Sequence, residues 1–597
     1  MSRPSKLHAR STALTPTDLN GAFVNPHDLR HDGESHAPSR QVTNPRCRCV
    51  PDRLSVHGVL YSRAGIRNLH DYVVAPLSQP DRHDPSFRCE LDRILNNIRY
   101  RLPDQVPVPR NGQVRHLSML VGIAFQGSRG IYETSEGRYA ECAREMLESG
   151  NLLEPQLGYR PHWTKPALTY WTLVAGMKGF GVNEWGLRLP NALAFILTTM
   201  VVVMLGRKLF DQQTGVAAGL IYATSPFAVL AENSITTDTL LTLWETAAVF
   251  CFVAAWKSER SAIQRGWIAG IWVMFGLGFL TKGPPALLPL LPILLSSYRN
   301  RGKLQCMSWL GLLLFFSTAF SWYAWAIATH PGLLRYWLGT EVVNRVASSS
   351  VHNHAWYKGF TVILPPLLLG LGFWLIPLIR KICTQERAHL RALRIAITNN
   401  RSLRFLLMWL TLPLAILMVS RSKLELYGLP VFVPLALIAG HTLRRTPVPL
   451  SRRSALSIGL LSVFVLVSAR AATACTRSRK DMKVLGRMCH QYELSKPDYY
   501  VWNQAKLFGL QFYLGGRLKR AAFSGDAEWA DISARDLLTK LKREAPHRTN
   551  VVIVNKARNY DLDRIFSSRD INYSIVSNQN WALYAIGPAN QIRSPQS

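Results

Sequence analysis

A chain of 597 residues with 48 % apolar types and a formal net charge of +33 is too unevenly composed to form one soluble core, because the apolar residues concentrate in its middle. The basic balance does not indicate nucleic acid: no RNA- or DNA-binding motif accompanies it, and much of the charge lies in short loops between apolar runs, as in membrane proteins. The nine cysteines form no metal framework, and the close pair Cys47 and Cys49 has no partner pair downstream, which argues against zinc.

Residues 1–116 are polar and irregular. Residues 1–115 hold sixteen arginines, one lysine and seven histidines, with no sustained hydrophobic period. This is either a disordered tail or a wrongly placed start upstream of the true protein; no apolar stretch follows the basic beginning, so no secretory signal is read there. The only apolar run before Gly130, Leu117–Phe125, is too short to cross a bilayer.

A short amphipathic helix is expected from about Ser135. Tyr139, Cys142, Ala143, Met146 and Leu147 share one face, and Gly150 stands just beyond as a stop. Ser135 is placed to cap it, with Glu136 favouring the positive end of the dipole. Next come His162-Trp-Thr-Lys165-Pro and the short apolar stretch Ala167–Gly181, read as a helix lying in the interface. Lys165, between aromatics and a proline, suits either a snorkelling anchor or a phosphate contact.

Ten apolar runs follow: Leu189–Leu205, Gly215–Ala231, Leu240–Trp256, Trp267–Leu280, Pro285–Leu295, Trp309–Ala328, Gly359–Ile379, Phe405–Val419, Leu426–Ala439 and Ala455–Ser468. Alternate loops carry clustered arginine and lysine, for example Arg207 with Lys208, then Arg299 with Arg301, so every second loop fits a cytoplasmic face. The opposite loops, Glu232–Asp238, Thr281–Pro284, His330–Lys358 and Ser420–Glu425, then face outward with the C-terminal region. Beyond residue 474 the composition becomes that of a soluble domain. Strands are expected at Tyr499–Trp502, Val551–Val554, Tyr573–Val576 and Ala582–Ile586, and a helix at Ala534–Lys542. Cys475 and Cys489 could pair if this region lies outside the cytoplasm. The fold class is therefore a polytopic α-helical membrane protein: an irregular region to 116, a multi-helix membrane domain over 117–474, and a small extracytoplasmic α/β domain over 475–597.

Several motifs at the outward loops occur together. Glu133-Thr-Ser-Glu-Gly-Arg-Tyr-Ala-Glu141 is followed by Lys165-Pro and Tyr170-Trp171, then Thr237-Asp238, Phe279-Leu-Thr-Lys-Gly-Pro-Pro285, His352-Asn-His354 with Trp356-Tyr357, and Ser420-Arg-Ser-Lys-Leu-Glu-Leu-Tyr427. In order and spacing, over about residues 130–475, these resemble the lipid-carrier-dependent glycosyltransferases: the aminoarabinose transferases of lipid A and, more distantly, the protein O-mannosyltransferases. The Ser420–Tyr427 stretch is similar to their Lys-Leu-Pro-Tyr region. One departure stands out. The family opens its first motif with an acidic run such as Asp-Pro-Asp-Glu, and here Ser135 replaces the aspartate beside Glu136.

The resemblance implies a GT-C-like fold and a multi-pass protein of the bacterial inner membrane, its active site facing the periplasm. It implies transfer of a sugar from a polyprenyl phosphate to lipid A or another envelope glycan. Such chemistry calls for a carboxylate to activate the acceptor and fixed positive charge for the departing phosphate. Glu133, Glu136 and Arg138 are the expected catalytic residues. Glu141, Lys165, Asp238, Lys282, His352, His354, Arg421, Lys423 and Tyr427 are the expected substrate contacts. No cofactor is required; a divalent metal would be compatible, but no residue pattern indicates one. The implied partners are the lipid-linked sugar donor, a lipid or glycan acceptor and membrane lipids, with no nucleic acid. Two other classes stay open: a lipid-linked-sugar transporter or flippase, which would place its site at the midplane and often contain internal repeats, and a catalytically inactive membrane scaffold, which Ser135 favours.

Overall fold

The structure is a computed structural model that describes residues 111–299, 306–339, 356–383, 400–445, 450–476, 478–492, 496–523, 527, 529–558 and 562–588. The expectations for residues 1–110, for Cys47 and Cys49, and for His352 and His354 lie outside the described residues.

Three short helices come first: α1 (Asn111–Ile123), α2 (Ser135–Ser149) and α3 (Ala167–Phe180). They are followed by α4 (Glu184–Leu209), α5 (Gln212–Ala223), α6 (Pro226–Glu232), α7 (Asp238–Trp256), α8 (Ser261–Lys282), α9 (Leu290–Arg299), α10 (Trp309–Thr329), α11 (Arg401–Val419), α12 (Leu429–Arg445) and α13 (Arg452–Cys475). Among the described residues seven helices, α4, α7, α8 and α10–α13, are long and apolar enough to cross a membrane. Two bent pairs, α5 with α6 and Gly359–Leu369 with Gly372–Cys383, raise the number to nine if each pair crosses once. The fifth apolar run, Pro285–Leu295, is corrected: it folds as the shorter helical stretch Pro284–Tyr298. Pro284, Pro285, Pro289 and Pro292 explain this, since each removes a backbone donor and crowds the preceding turn.

α4 shows how the sequence sets a span. Asn183 caps it by accepting the Gly186 amide at 3.0 Å, Glu184 occupies the first turn, and Arg207 and Lys208 the last, each favourable to the helix dipole. Its 26 residues rise about 39 Å, more than the ~30 Å hydrocarbon core. α5 and α6 instead break. Thr224 and Ser225 return their hydroxyls to the Leu220 and Ile221 carbonyls at 2.7 and 2.6 Å. Pro226 then opens a new helix, which its missing N–H permits at that position, and the chain turns by 58°. α3 has 14 residues, or about 21 Å, and packs along α4 while also touching α2 and α8. α1 lies against α4 and α5. Large rings such as Phe252, Phe405, Trp409 and Phe432 fill the helical core. Along α10, Trp309, Leu310, Leu313 and Phe316 remain exposed, an apolar wall suited to lipid.

The C-terminal domain is a six-stranded sheet in the order β3-β2-β1-β4-β6-β5: β1 (Asp498–Trp502), β2 (Leu518–Ala522), β3 (Ile532–Ser533), β4 (Asn550–Asn555), β5 (Ser574–Ser577) and β6 (Trp581–Ile586). The first four are parallel, and β6 joins β4 antiparallel. Side chains alternate across it. Tyr499, Val501 and Ile553 pack with α14 (Met482–His490) and α15 (Phe508–Tyr513). Tyr500, Trp502 and Val552 pack with α16 (Ala534–Glu544) on the other face. β2 and β3 were not expected from the sequence. β2 carries Lys519 and Arg520, and Arg520 is buried there because Gln511 and the Ala505 carbonyl accept its donors at 2.5 and 3.1 Å. The Cys475–Cys489 pairing is also corrected: both thiols are free, Cys475 exposed and Cys489 buried.

Candidate active site at the membrane edge

The first motif folds as expected in outline and differently in detail. Tyr139, Cys142, Ala143 and Met146 are buried in a core shared with α3 and Phe512 of the C-terminal domain. Gly150, with φ of 69°, ends the helix in the left-handed conformation that glycine adopts without cost. Ser135 does not cap α2; it is the first helical residue, exposed, and Thr134 holds the cap position without a side-chain bond.

Glu136 turns inward instead. Arg129 grips both its oxygens at 2.7 and 2.8 Å, Arg188 reaches it at 3.3 Å, and the Tyr132 and Ile235 amides donate at 2.9 and 3.1 Å. Burial alone would raise its pKa, but Arg188 and Arg129 hold it down at about 2. Around this hub, Arg188 also donates to the Gln126, Arg129 and Gly130 carbonyls at 3.0, 2.8 and 2.8 Å. Arg129 fastens Asn233 through its side chain and carbonyl at 2.9 and 2.7 Å. Close by, Arg470 near the end of α13 pairs with Glu232 and donates to the Val229 carbonyl at 2.7 Å. The sequence reading missed Arg188, Arg470 and Arg129. The first two sit just outside the apolar runs assigned to α4 and α13; extending each run to a full ~20-residue span takes in an arginine, and an ionisable group within a span is a functional signal.

A cavity of about 1260 Å³ opens beside this cluster. Its wall brings together the stretches around Arg129–Tyr139, Thr164–Lys165, Val229–Asp238, Lys282, Ser422–Tyr427 and Leu466–Lys480. Seven basic side chains line it against four carboxylates, Glu133, Glu136, Asp238 and Glu425, so the wall favours an anion. Val229, Leu230 and Leu466 supply an apolar side.

Of the residues expected from sequence, Glu133, Glu136, Arg138, Lys165, Asp238, Lys282, Lys423 and Tyr427 all border this cavity. Arg138 and Lys165 both press their charge on His162, whose pKa burial and these two cations lower to about 4. Asp238, the first residue of α7, is ion-paired with Lys282 at the end of α8. The Lys282 ammonium lies 3.9 Å from the Tyr427 ring centroid, a cation–π distance. Lys423 is buried, with its ammonium on the Ser420 carbonyl. Glu133 faces the C-terminal domain, accepting the Phe508 and Gly509 amides at 3.2 and 2.7 Å. Two expected contacts are not brought to the cavity. Arg421 is exposed outside its wall. Glu141 is buried away from it, forked onto Arg144 at 2.8 and 2.9 Å.

The architecture is GT-C-like: a bundle of membrane-crossing helices, a basic cavity where their connecting loops converge, and a small α/β domain packed above. A family model described as dolichyl-phosphate-mannose-protein mannosyltransferase matches residues 164–325. The chain is 31 % identical over 369 residues to the undecaprenyl phosphate-alpha-4-amino-4-deoxy-L-arabinose arabinosyl transferase of Pseudomonas aeruginosa (strain UCBPP-PA14), which covers 59 % of this chain and 63 % of that one. It is 33 % identical over 358 residues to the enzyme of the same name from Edwardsiella ictaluri (strain 93-146), covering 58 % and 61 %. The chain thus spans a little less than two thirds of the length of these curated relatives. Among solved structures, ArnT from Cupriavidus metallidurans bound to undecaprenyl phosphate superimposes with a TM-score of 0.64 at 18 % identity, covering 82 % of this chain and 100 % of that one. The resemblance read from the motifs therefore holds in sequence over more than half of the chain and in fold over most of it.

Proposed function

We propose that the protein is a membrane glycosyltransferase that moves a sugar from a polyprenyl-phosphate donor to an acceptor such as lipid A or another envelope glycan. The observation that carries this reading is one cavity lined by Arg138, Lys165 and the Asp238–Lys282 pair together with an apolar side. A lipid-linked sugar phosphate has the matching parts: a chain for the apolar side and a phosphate for the cations. Fixed cations stabilise charge developing on a leaving phosphate without reorganising at the moment of reaction. The names of the relatives point to an amino-pentose as the sugar. We read the protein as residing in a bacterial inner membrane, with the cavity and the C-terminal domain facing the periplasm.

The test is reconstitution of the purified full chain in liposomes with polyprenyl-phosphate-linked sugars and lipid A or glycan acceptors. Mass spectrometry should find the acceptor heavier by one sugar. Movement of the lipid-linked sugar across the bilayer without transfer would establish a transporter instead. Neither activity would establish the inactive scaffold that Ser135 favours.

A further inference from the structure

The cavity holds four carboxylates, and three are committed. Glu133 accepts two backbone amides from the C-terminal domain. Glu136 lies buried between Arg129 and Arg188. Asp238 is paired with Lys282. Glu425 differs: it is exposed on the cavity wall, and among the described residues its carboxylate has no hydrogen bond or ion pair. It opens the short turn Glu425–Gly428, two residues from both Lys423 and Tyr427, so it stands beside the Lys282–Tyr427 contact. Ser135, which lines the same cavity, carries a hydroxyl and offers no anionic oxygen to take a proton. The stretch Lys423-Leu-Glu-Leu-Tyr427 has Glu425 and Leu426 where the Lys-Leu-Pro-Tyr pattern has a single proline. The cavity lining thus lacks a carboxylate at Ser135 and carries one at Glu425.

We propose that Glu425 is the proton acceptor of the transfer step, an assignment that rests on the transferase reading above. The acceptor's O–H oxygen forms a bond to the anomeric carbon. The bond from that carbon to the donor phosphate oxygen breaks, and its electron pair leaves with the phosphate. The acceptor's proton passes to a Glu425 oxygen. A solvent-reachable carboxylate without a competing partner is free to accept a proton, and basic side chains line the same cavity for the departing phosphate. Glu133 and Glu136 cannot take the proton without giving up the amides and guanidiniums that hold them.

The experiment compares the wild-type full chain with E425Q, E425A and the double variant S135D/E425Q, using polyprenyl-phosphate-linked aminoarabinose and lipid A in liposomes. E425Q and E425A should lower kcat by about 10²–10⁴-fold, the usual size of a lost general base, with KM changed only a few-fold. S135D should restore part of the lost kcat in the E425Q background, because it returns a carboxylate to the cavity lining. Wild-type kcat in either single variant overturns the assignment and leaves the transferase reading standing. If the wild-type chain transfers nothing, the transferase reading falls and takes the assignment with it.

Discussion

Glu133 holds the amide of Gly509 at 2.7 Å across 376 positions of sequence, and this contact fastens the C-terminal domain to the start of α2. Its other oxygen takes the Phe508 amide. Two glycines allow the approach: a Cβ on Gly137 would stand 2.4 Å from the Gly509 nitrogen. Burial pushes the Glu133 carboxyl above its ordinary pKa, against the pull of the Gly509 and Phe508 amides. The helix that carries Arg138 is therefore positioned partly by a domain more than 350 residues downstream.

Loss of that clasp should be visible without any activity assay. Glu133→Ala removes an acceptor serving two donors, and a hydrogen bond to a charged group is worth about 1.5–3 kcal/mol. Gly137→Ala should act in the same direction by forcing the two backbones apart. Limited proteolysis in detergent should cut the C-terminal domain faster in both variants, with a lower melting temperature. Cleavage at the wild-type rate would show that the clasp does not hold the domains.

A second expectation concerns pH. Burial, reinforced by the negative charge of Glu145, pushes the Glu141 carboxyl up to about 7, although Arg144 pulls the other way. A carboxyl whose folded value lies above its unfolded one binds its proton more tightly in the folded state. The stability it contributes is full below about 4.5 and is lost as pH rises through about 7. Melting temperature should therefore fall between pH 5 and pH 8, and Glu141→Gln should flatten that slope. An equally steep slope in the variant would assign the dependence to other groups.

Much of this arrangement can be read in the sequence, for identifiable reasons. Lys282 precedes Gly283, which adopts a φ of 78°, and two prolines; that punctuation marks a helix end, and a helix end in a membrane protein lies at its edge. Asp238 begins a long apolar run, so its depth is equally legible. Glu136 was harder. An acidic residue in a first helical turn normally faces solvent and the dipole, and only the fold reveals Arg129 seven residues before it and Arg188 on another helix. Arg470 was hidden by a different cause: the apolar run was ended at Ser468, two residues short of it. Glu425 was passed over because a lone exposed glutamate has no pattern. Its interest comes from the commitment of the other three carboxylates.

The two cations Arg138 and Lys165 in the cavity lining should separate binding from chemistry. Arg138 and Lys165 converge closely enough to lower the pKa of His162 together. Lys165→Ala should reduce transfer by about 10²–10³-fold, the usual cost of a lost transition-state electrostatic contact, while the protein still inserts and purifies normally. Lys165→Arg should recover only part of the rate, because a planar fork does not replace a compact point charge. Unchanged transfer in Lys165→Ala would remove this residue from the site.

Glu136 should behave in the opposite way, as a residue needed for folding rather than for turnover. It is buried, and its oxygens accept from Arg129, Arg188, Tyr132 and Ile235. Glu136→Gln keeps the shape but withdraws the negative charge, leaving Arg129 and Arg188 facing each other without compensation. Removing one partner of a buried ion pair costs about 3–5 kcal/mol, which is a large part of the stability of a typical domain. The expected result is poor yield and a strongly lowered melting temperature. A catalytic role predicts normal folding with kcat reduced. Because the two outcomes differ in separate observables, one purification decides between them: thermal unfolding in detergent measures the first, and turnover per folded molecule measures the second. A stable Glu136→Gln protein with transfer lost would return Glu136 to the reaction, and would also reopen the assignment of the proton to Glu425.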